Sequence, residues 1–112
     1  MEFAAVRAAA AGLPGVVETT MYGAPALKLR GKLVACMASH KSAEPGTLVV
    51  RVDFERRAEM IAAAPEVYYL TDHYVNYTSV LVRLSRVGAD ELRDLLRMAY
   101  RFVSEETRPR RR

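Results

Sequence analysis

Two histidines, six tyrosines and one cysteine are the side chains of this 112-residue chain best able to move protons, stack on rings or attack as nucleophiles. Tyr68, Tyr69, His73, Tyr74 and Tyr77 fall within one short stretch, YYLTDHYVNYTSVLVRL, which runs on into a β-branched segment. His73 beside Asp72 is a pair that can serve as general acid or base. Neighbours on an extended segment point to opposite sides, however, so the two do not form a dyad. His40, between Ser39 and Lys41, reads as a solvated side chain, and no second ligand is spaced to make a metal site with it. Cys36 lies in an apolar, alternating run and reads as a small buried hydrophobe, not a reactive thiol. The chain has no phosphate loop, no dinucleotide glycine pattern, no GxSxG and no zinc spacing. These residues predict no catalytic group, no metal and no cofactor, and they direct attention to binding.

Length and composition frame that reading. A chain this long makes one domain able to bury a core without staples. Half its residues are apolar and about a quarter charged, the ordinary globular mixture. A lone cysteine rules out an internal disulfide and fits a reducing, cytoplasmic location. The N-terminal MEFAAVRAAAAGLPG is broken by Glu2 and Arg7 and does not read as a signal peptide. No apolar run approaches the roughly 18 residues of a spanning helix, so no membrane partner is expected.

The net charge of +4 is unevenly placed. Arg108, Arg110, Arg111 and Arg112 are four of the 17 basic residues, which leaves 13 basic against 13 acidic in the body. The basic character therefore belongs to a tail, TRPRRR, and not to a face of the fold. The predicted division is one domain over 1–106 and a basic, disordered tail over 107–112.

Hydrophobic periodicity supplies the elements. Glu2 to Ala11 reads as a helix with Phe3, Val6 and Ala10 on one face, ended by Gly12 and Pro14. Gly15 to Gly23 has no clear period and reads as a connector with room for a short strand over Val16 to Thr20. A strand begins at Pro25, with Leu27 and Leu29 on one face and Lys28 and Arg30 on the other. Arg30-Gly31 reverses it into a partner strand over Lys32 to Ala38. After a polar loop, Thr47 to Val52 is a strand with Leu48, Val50 and Val52 inward. Asp53 caps a helix over Phe54 to Ala64 whose apolar side is Phe54, Ala58, Ile61 and Ala62. Tyr77 to Leu84 alternates as a strand, and Ala89 to Glu105 is the strongest helix, with Leu92, Leu95, Leu96, Ala99, Phe102 and Val103 at three- and four-residue intervals. The predicted fold is a two-layer α+β domain, an antiparallel sheet with helices on one face, in the order α-β-β-β-α-β-β-α.

Several fragments in this order resemble the MmcQ/YjbR family: Leu13-Pro14-Gly15, Glu18, Tyr22-Gly23, Pro25-Ala26, Gly31-Lys32, Val52-Asp53, Thr71-Asp72-His73-Tyr74, Tyr77, Val80-Leu81-Val82-Arg83-Leu84 and Asp90-Glu91-Leu92. The resemblance spans nearly all of Leu13 to Val103. It implies a CyaY-like, secretion-chaperone-like architecture and DNA binding through a double wing of hairpins. Asn76 stands where relatives often have glycine, and Tyr77 where many have tryptophan. On this reading the nucleic-acid contacts are Lys28, Arg30 and Lys32 on the first hairpin and His73, Tyr74 and Arg83 on the second. Arg110, Arg111 and Arg112 of the tail add nonspecific attraction to phosphates. The alternative is a protein partner, or a second copy of the chain, bound on the open face of the sheet.

Overall fold

The computed structural model describes residues 2–108, so the expectations for Arg110, Arg111 and Arg112 lie outside the described residues. The elements run α1 (Phe3–Ala9), β1 (Val16–Met21), β2 (Ala24–Leu29), β3 (Lys32–Met37), β4 (Thr47–Arg51), α2 (Phe54–Ala63), β5 (Tyr68–Tyr69), β6 (Ser79–Arg83) and α3 (Ala89–Thr107). Single 3₁₀ turns at Asp72–Tyr74 and Leu84–Arg86 flank β6. The strands form one antiparallel sheet in the order β1-β2-β3-β4-β6-β5. This is the α+β architecture that the periodicity predicts.

Two tight reversals build its first half. Arg30 and Gly31, at φ 51° and 80°, make the expected two-residue turn between β2 and β3. Tyr22 and Gly23, at φ 53° and 78°, make an equivalent turn between β1 and β2. Val16–Met21 is accordingly a full six-residue edge strand, which gives four strands before α2. Its four middle residues are exposed on both faces, and that is why Val17-Glu18-Thr19-Thr20 shows no alternation in the sequence.

The strands then divide their side chains between two cores. Leu27, Leu29, Leu48, Val50, Val80 and Val82 meet Val6, Leu92, Leu95, Leu96, Ala99 and Val103 of the helices on one face. Ala26, Cys36, Val49 and Leu81 turn the other way and are covered by Tyr74. A bulge assists the split. Leu27 pairs with Ala35 but Lys28 pairs with Leu33, so Val34 is the inserted residue. Val34 and Ala35 both enter the helix-side core, while Leu33 and Cys36 face the open side.

The helices differ in register from expectation at two points. In α2 the buried contact is made by Arg57, with Met60, Ile61 and Ala64 packed on the main core, whereas Phe54, Ala58 and Ala62 are exposed. Arg57 takes the inward place because its guanidinium donates to the carbonyls of Val75, Tyr77 and Ser79 at 3.1, 2.9 and 3.2 Å. In α3, Phe102 is only partly buried and lies under the Arg51 guanidinium, 5.1 Å from its ring centre. Asp53 caps α2 as predicted, accepting from the Arg56 amide at 2.7 Å, and at the start of α3 the Glu91 carboxylate accepts from the Gly88 amide at 3.1 Å.

Candidate functional site

The open face of the sheet is apolar along its middle, because Leu33, Cys36 and Val49 project there from β3 and β4, with Met21 at the end of β1. Two loops rise beside this floor and leave a groove of about 890 Å³. One loop follows β3 and carries His40. The other precedes β6 and carries His73, Tyr74 and Tyr77.

Hydrogen bonds lock the two loops together. Ser42 links them, its hydroxyl 2.8 Å from both His40 Nδ1 and Thr71 Oγ1. The Tyr69 hydroxyl accepts from the Glu44 amide at 2.8 Å and lies 2.6 Å from Thr47 Oγ1. The wall is therefore preorganised, its backbone pinned from both sides.

His40 is the clearest departure from the sequence reading. Instead of standing in solvent it stacks on His73, ring centroids 3.6 Å apart and planes 9° from parallel. Tyr74 closes the pair edge-on, 4.7 Å from His73, and Tyr77 tilts against His73 at 6.2 Å. The Ser42 amide donates to His40 Nδ1 at 3.0 Å, so that nitrogen is the unprotonated acceptor and the proton of the neutral ring sits on Nε2. Burial, then the neighbouring His73 and Lys41, lower the His40 pKa from its ordinary value. Asp72 and His73 occupy one 3₁₀ turn, not the extended segment expected from sequence.

The rest of the rim is aromatic. Tyr22 projects from its hairpin tip, almost wholly exposed at 88%, and Phe54 at the start of α2 and Tyr77 are about half exposed. Arg51 borders the lower end with its guanidinium fully engaged. It donates to the Thr78 carbonyl and hydroxyl at 3.0 Å each and pairs with Glu106 at 2.8 Å. Ser79 lines the same end, 2% exposed, and its hydroxyl has no partner among the described residues. Cys36 is buried in the floor, and burial pushes its thiol up to about 11. It is an inert apolar surface at neutral pH.

The residues expected to contact nucleic acid do not converge. The register pairs Lys28 with Leu33 on the open face and Lys32 with Leu29 on the helix side, so the hairpin divides its lysines between two faces. Arg30 at the tip donates to Thr107 Oγ1 at 3.0 Å. Arg83 is held by Glu44 in a bidentate ion pair at 2.8 and 2.9 Å, stacks 4.2 Å over Tyr69 and donates to the Pro65 carbonyl. The Glu44 carboxylate raises the Arg83 pKa further. Of the second set, His73 and the buried Tyr74 both line the groove, and Arg83 does not.

No group of three or more His, Cys, Asp or Glu among the described residues is placed to hold a metal ion. No described helix is long and apolar enough to cross a membrane.

Sequence reasoning missed Tyr22, Leu33, Val49, Phe54 and Ser79 as groove residues. The three strand residues among them share one signal, parity: Leu33, Val49 and Ser79 face away from the helices.

Comparison with known proteins agrees with this architecture. The structure is similar to the crystal structure of Deinococcus radiodurans protein DR2400, which carries a DUF419 domain, with a TM-score of 0.78 and 25% sequence identity over 97% of this chain and 83% of that one. No functionally curated protein matches the sequence. The YjbR family model matches residues 11–102, which take in every strand of the sheet and most of α3. The chain belongs to the YjbR family.

Proposed function

We propose that this protein is a non-catalytic binding module whose open-face groove receives an apolar, aromatic-bearing segment of a protein partner. One observation carries the reading. Three large apolar side chains left exposed by the fold, Tyr22, Phe54 and Tyr77, ring a single groove whose floor is Met21, Leu33, Cys36 and Val49. Large exposed apolar residues gathered in one place mark an interaction site. Ser79 adds a polar point at the lower end, where an unpartnered hydroxyl costs about 1–3 kcal/mol unless a bound group satisfies it.

Selection of a random peptide display library against the purified chain tests this. Peptides enriched by the wild type carry one or more aromatic residues and fail to bind a Tyr22→Ser, Tyr77→Ser double variant. Enrichment that is unchanged on the double variant, or that lacks aromatics, removes the reading.

Duplex DNA is the second reading, favoured by Lys28, Lys32 and Lys41, which make no ion pair among the described residues. Its signature is salt dependence, about one unit of slope in log affinity against log salt for each phosphate neutralised. Fluorescence anisotropy on the full chain and on a chain ending at Thr107 separates the lysines from the terminal arginines. Binding that vanishes on truncation belongs to the tail. Binding that survives truncation and weakens with Lys28→Ala and Lys32→Ala belongs to the hairpin.

A further inference from the structure

We infer that the β1 edge pairs with the β1 edge of a second copy of this chain, joining two sheets into one across a two-fold axis at Thr19. The two edges of the sheet are unequal. β5 has two residues, a length that protects an edge, but β1 has six and contains no lysine, arginine, proline or glycine. Its six pairs with β2 run without a bulge. Its one charge, Glu18, is held by Arg7 of α1, and no lysine, proline or bulge blunts the edge.

The turn fixes which backbone groups are free. Residues flanking a two-residue hairpin form a hydrogen-bonded pair, here Met21 with Ala24. Alternation then makes Thr19 with Ala26 and Val17 with Lys28 the next such pairs. Pro25, which has no N–H, falls opposite Thr20 at a position that needs none. Val16, Glu18 and Thr20 therefore aim their backbone groups away from the sheet. The Val16 amide donates to the Leu13 carbonyl at 3.4 Å, and the amides and carbonyls of Glu18 and Thr20 are left without partners among the described residues.

Antiparallel pairing about Thr19 satisfies all of them. Glu18 exchanges both backbone hydrogen bonds with Thr20 of the second copy, and the symmetry repeats the exchange. Side chains match in the same register. Val17, one of the exposed apolar residues at 62%, comes to lie beside Met21 of the second copy on the open face. Glu18 faces a threonine and not its own equivalent, and its carboxylate is already turned to Arg7 of α1 at 2.6 and 2.8 Å. Such self-complementarity is what an isologous interface requires.

Sedimentation equilibrium of the full chain, from micromolar to hundreds of micromolar, tests the inference. A monomer–dimer equilibrium is expected. Thr19→Lys, which sets two like charges opposite each other on the axis, is expected to shift the species to monomer with an unchanged circular dichroism spectrum. Thr19→Glu behaves likewise, and an equimolar mixture of the two variants recovers the dimer. A wild type that stays monomeric at the highest concentration, a dimer indifferent to both substitutions, or a mixture that fails to recover overturns the inference. Thr19 itself does not line the groove, and the sedimentation measurement needs no groove ligand, so its outcome is read separately from what the groove binds.

Discussion

His40 and His73, far apart in the chain, stack face to face at 3.6 Å and close the wall of the groove. Such a stack holds while at least one ring is neutral, and the Ser42 amide on His40 Nδ1 selects His40 for that state. His73, Lys41 and the edge of Tyr74 all face the His40 ring.

The pH dependence follows from the sign of the shift. His40 has a folded-state pKa below its ordinary 6.5, so the unfolded or opened loop binds the proton more readily. The stability it lends the wall is complete above about pH 6.5 and is lost as pH falls through the lower, folded-state value. Histidine ring resonances followed by NMR are expected to show His40 titrating below a free histidine, with exchange of the Ser42 amide quickening over the same range. A His40 titration at or above the free value contradicts this account.

Arg57 is the strut under the 75–79 segment. Arg57→Met keeps the aliphatic contact but removes the donors to Val75, Tyr77 and Ser79. A loss of about 1–3 kcal/mol in chemical denaturation is expected, with faster amide exchange from Val75 to Ser79. An unchanged stability shows that water replaces the guanidinium at no cost.

Leu95 is 4% exposed at the contact of α3 with the sheet. Leu95→Ala is expected to lower stability by about 2–5 kcal/mol. Phe54→Ala, at a half-exposed position, is expected to change it by less than about 0.5 kcal/mol. The reverse order places the helices in another register.

Cys36 tests the floor. With its thiol pushed up to about 11 by burial, it is expected to resist an aromatic disulfide reagent at pH 8 and to react fully in denaturant. Rapid reaction in native buffer shows that the groove floor is open to solvent thiol chemistry.

Periodicity carried the architecture where one face of an element was buried and the other was not. Leu27, Leu48, Val50, Val80, Val82 and the α3 leucines are all in the core that their spacing implies. The register of α2 was not legible, because its inward residue is an arginine whose partners are backbone carbonyls two elements away. Nor was the Tyr22-Gly23 turn, since tyrosine seldom takes positive φ and the strand before it is exposed on both sides. The groove was half visible. Its aromatic wall stood out as a cluster in sequence, but its floor is made of residues that read as ordinary core, and the partnership of His40 with His73 has no local signal at all. Arg83 shows the converse. It stands in a strand that looked like a wing, and only the fold reveals that Glu44 already occupies it.

The open face of the sheet is where the proposed partner binds. The most direct measurement is an amide chemical-shift map of the isotopically labelled full chain, titrated with a display-selected aromatic peptide. Perturbations are predicted at Met21, Tyr22, Leu33, Cys36, Val49 and Tyr77, with the histidine ring signals of His40 and His73 moving in step. Perturbations confined to the exposed faces of α1 and α3, or to Arg30, Lys32 and the terminal arginines, would contradict it.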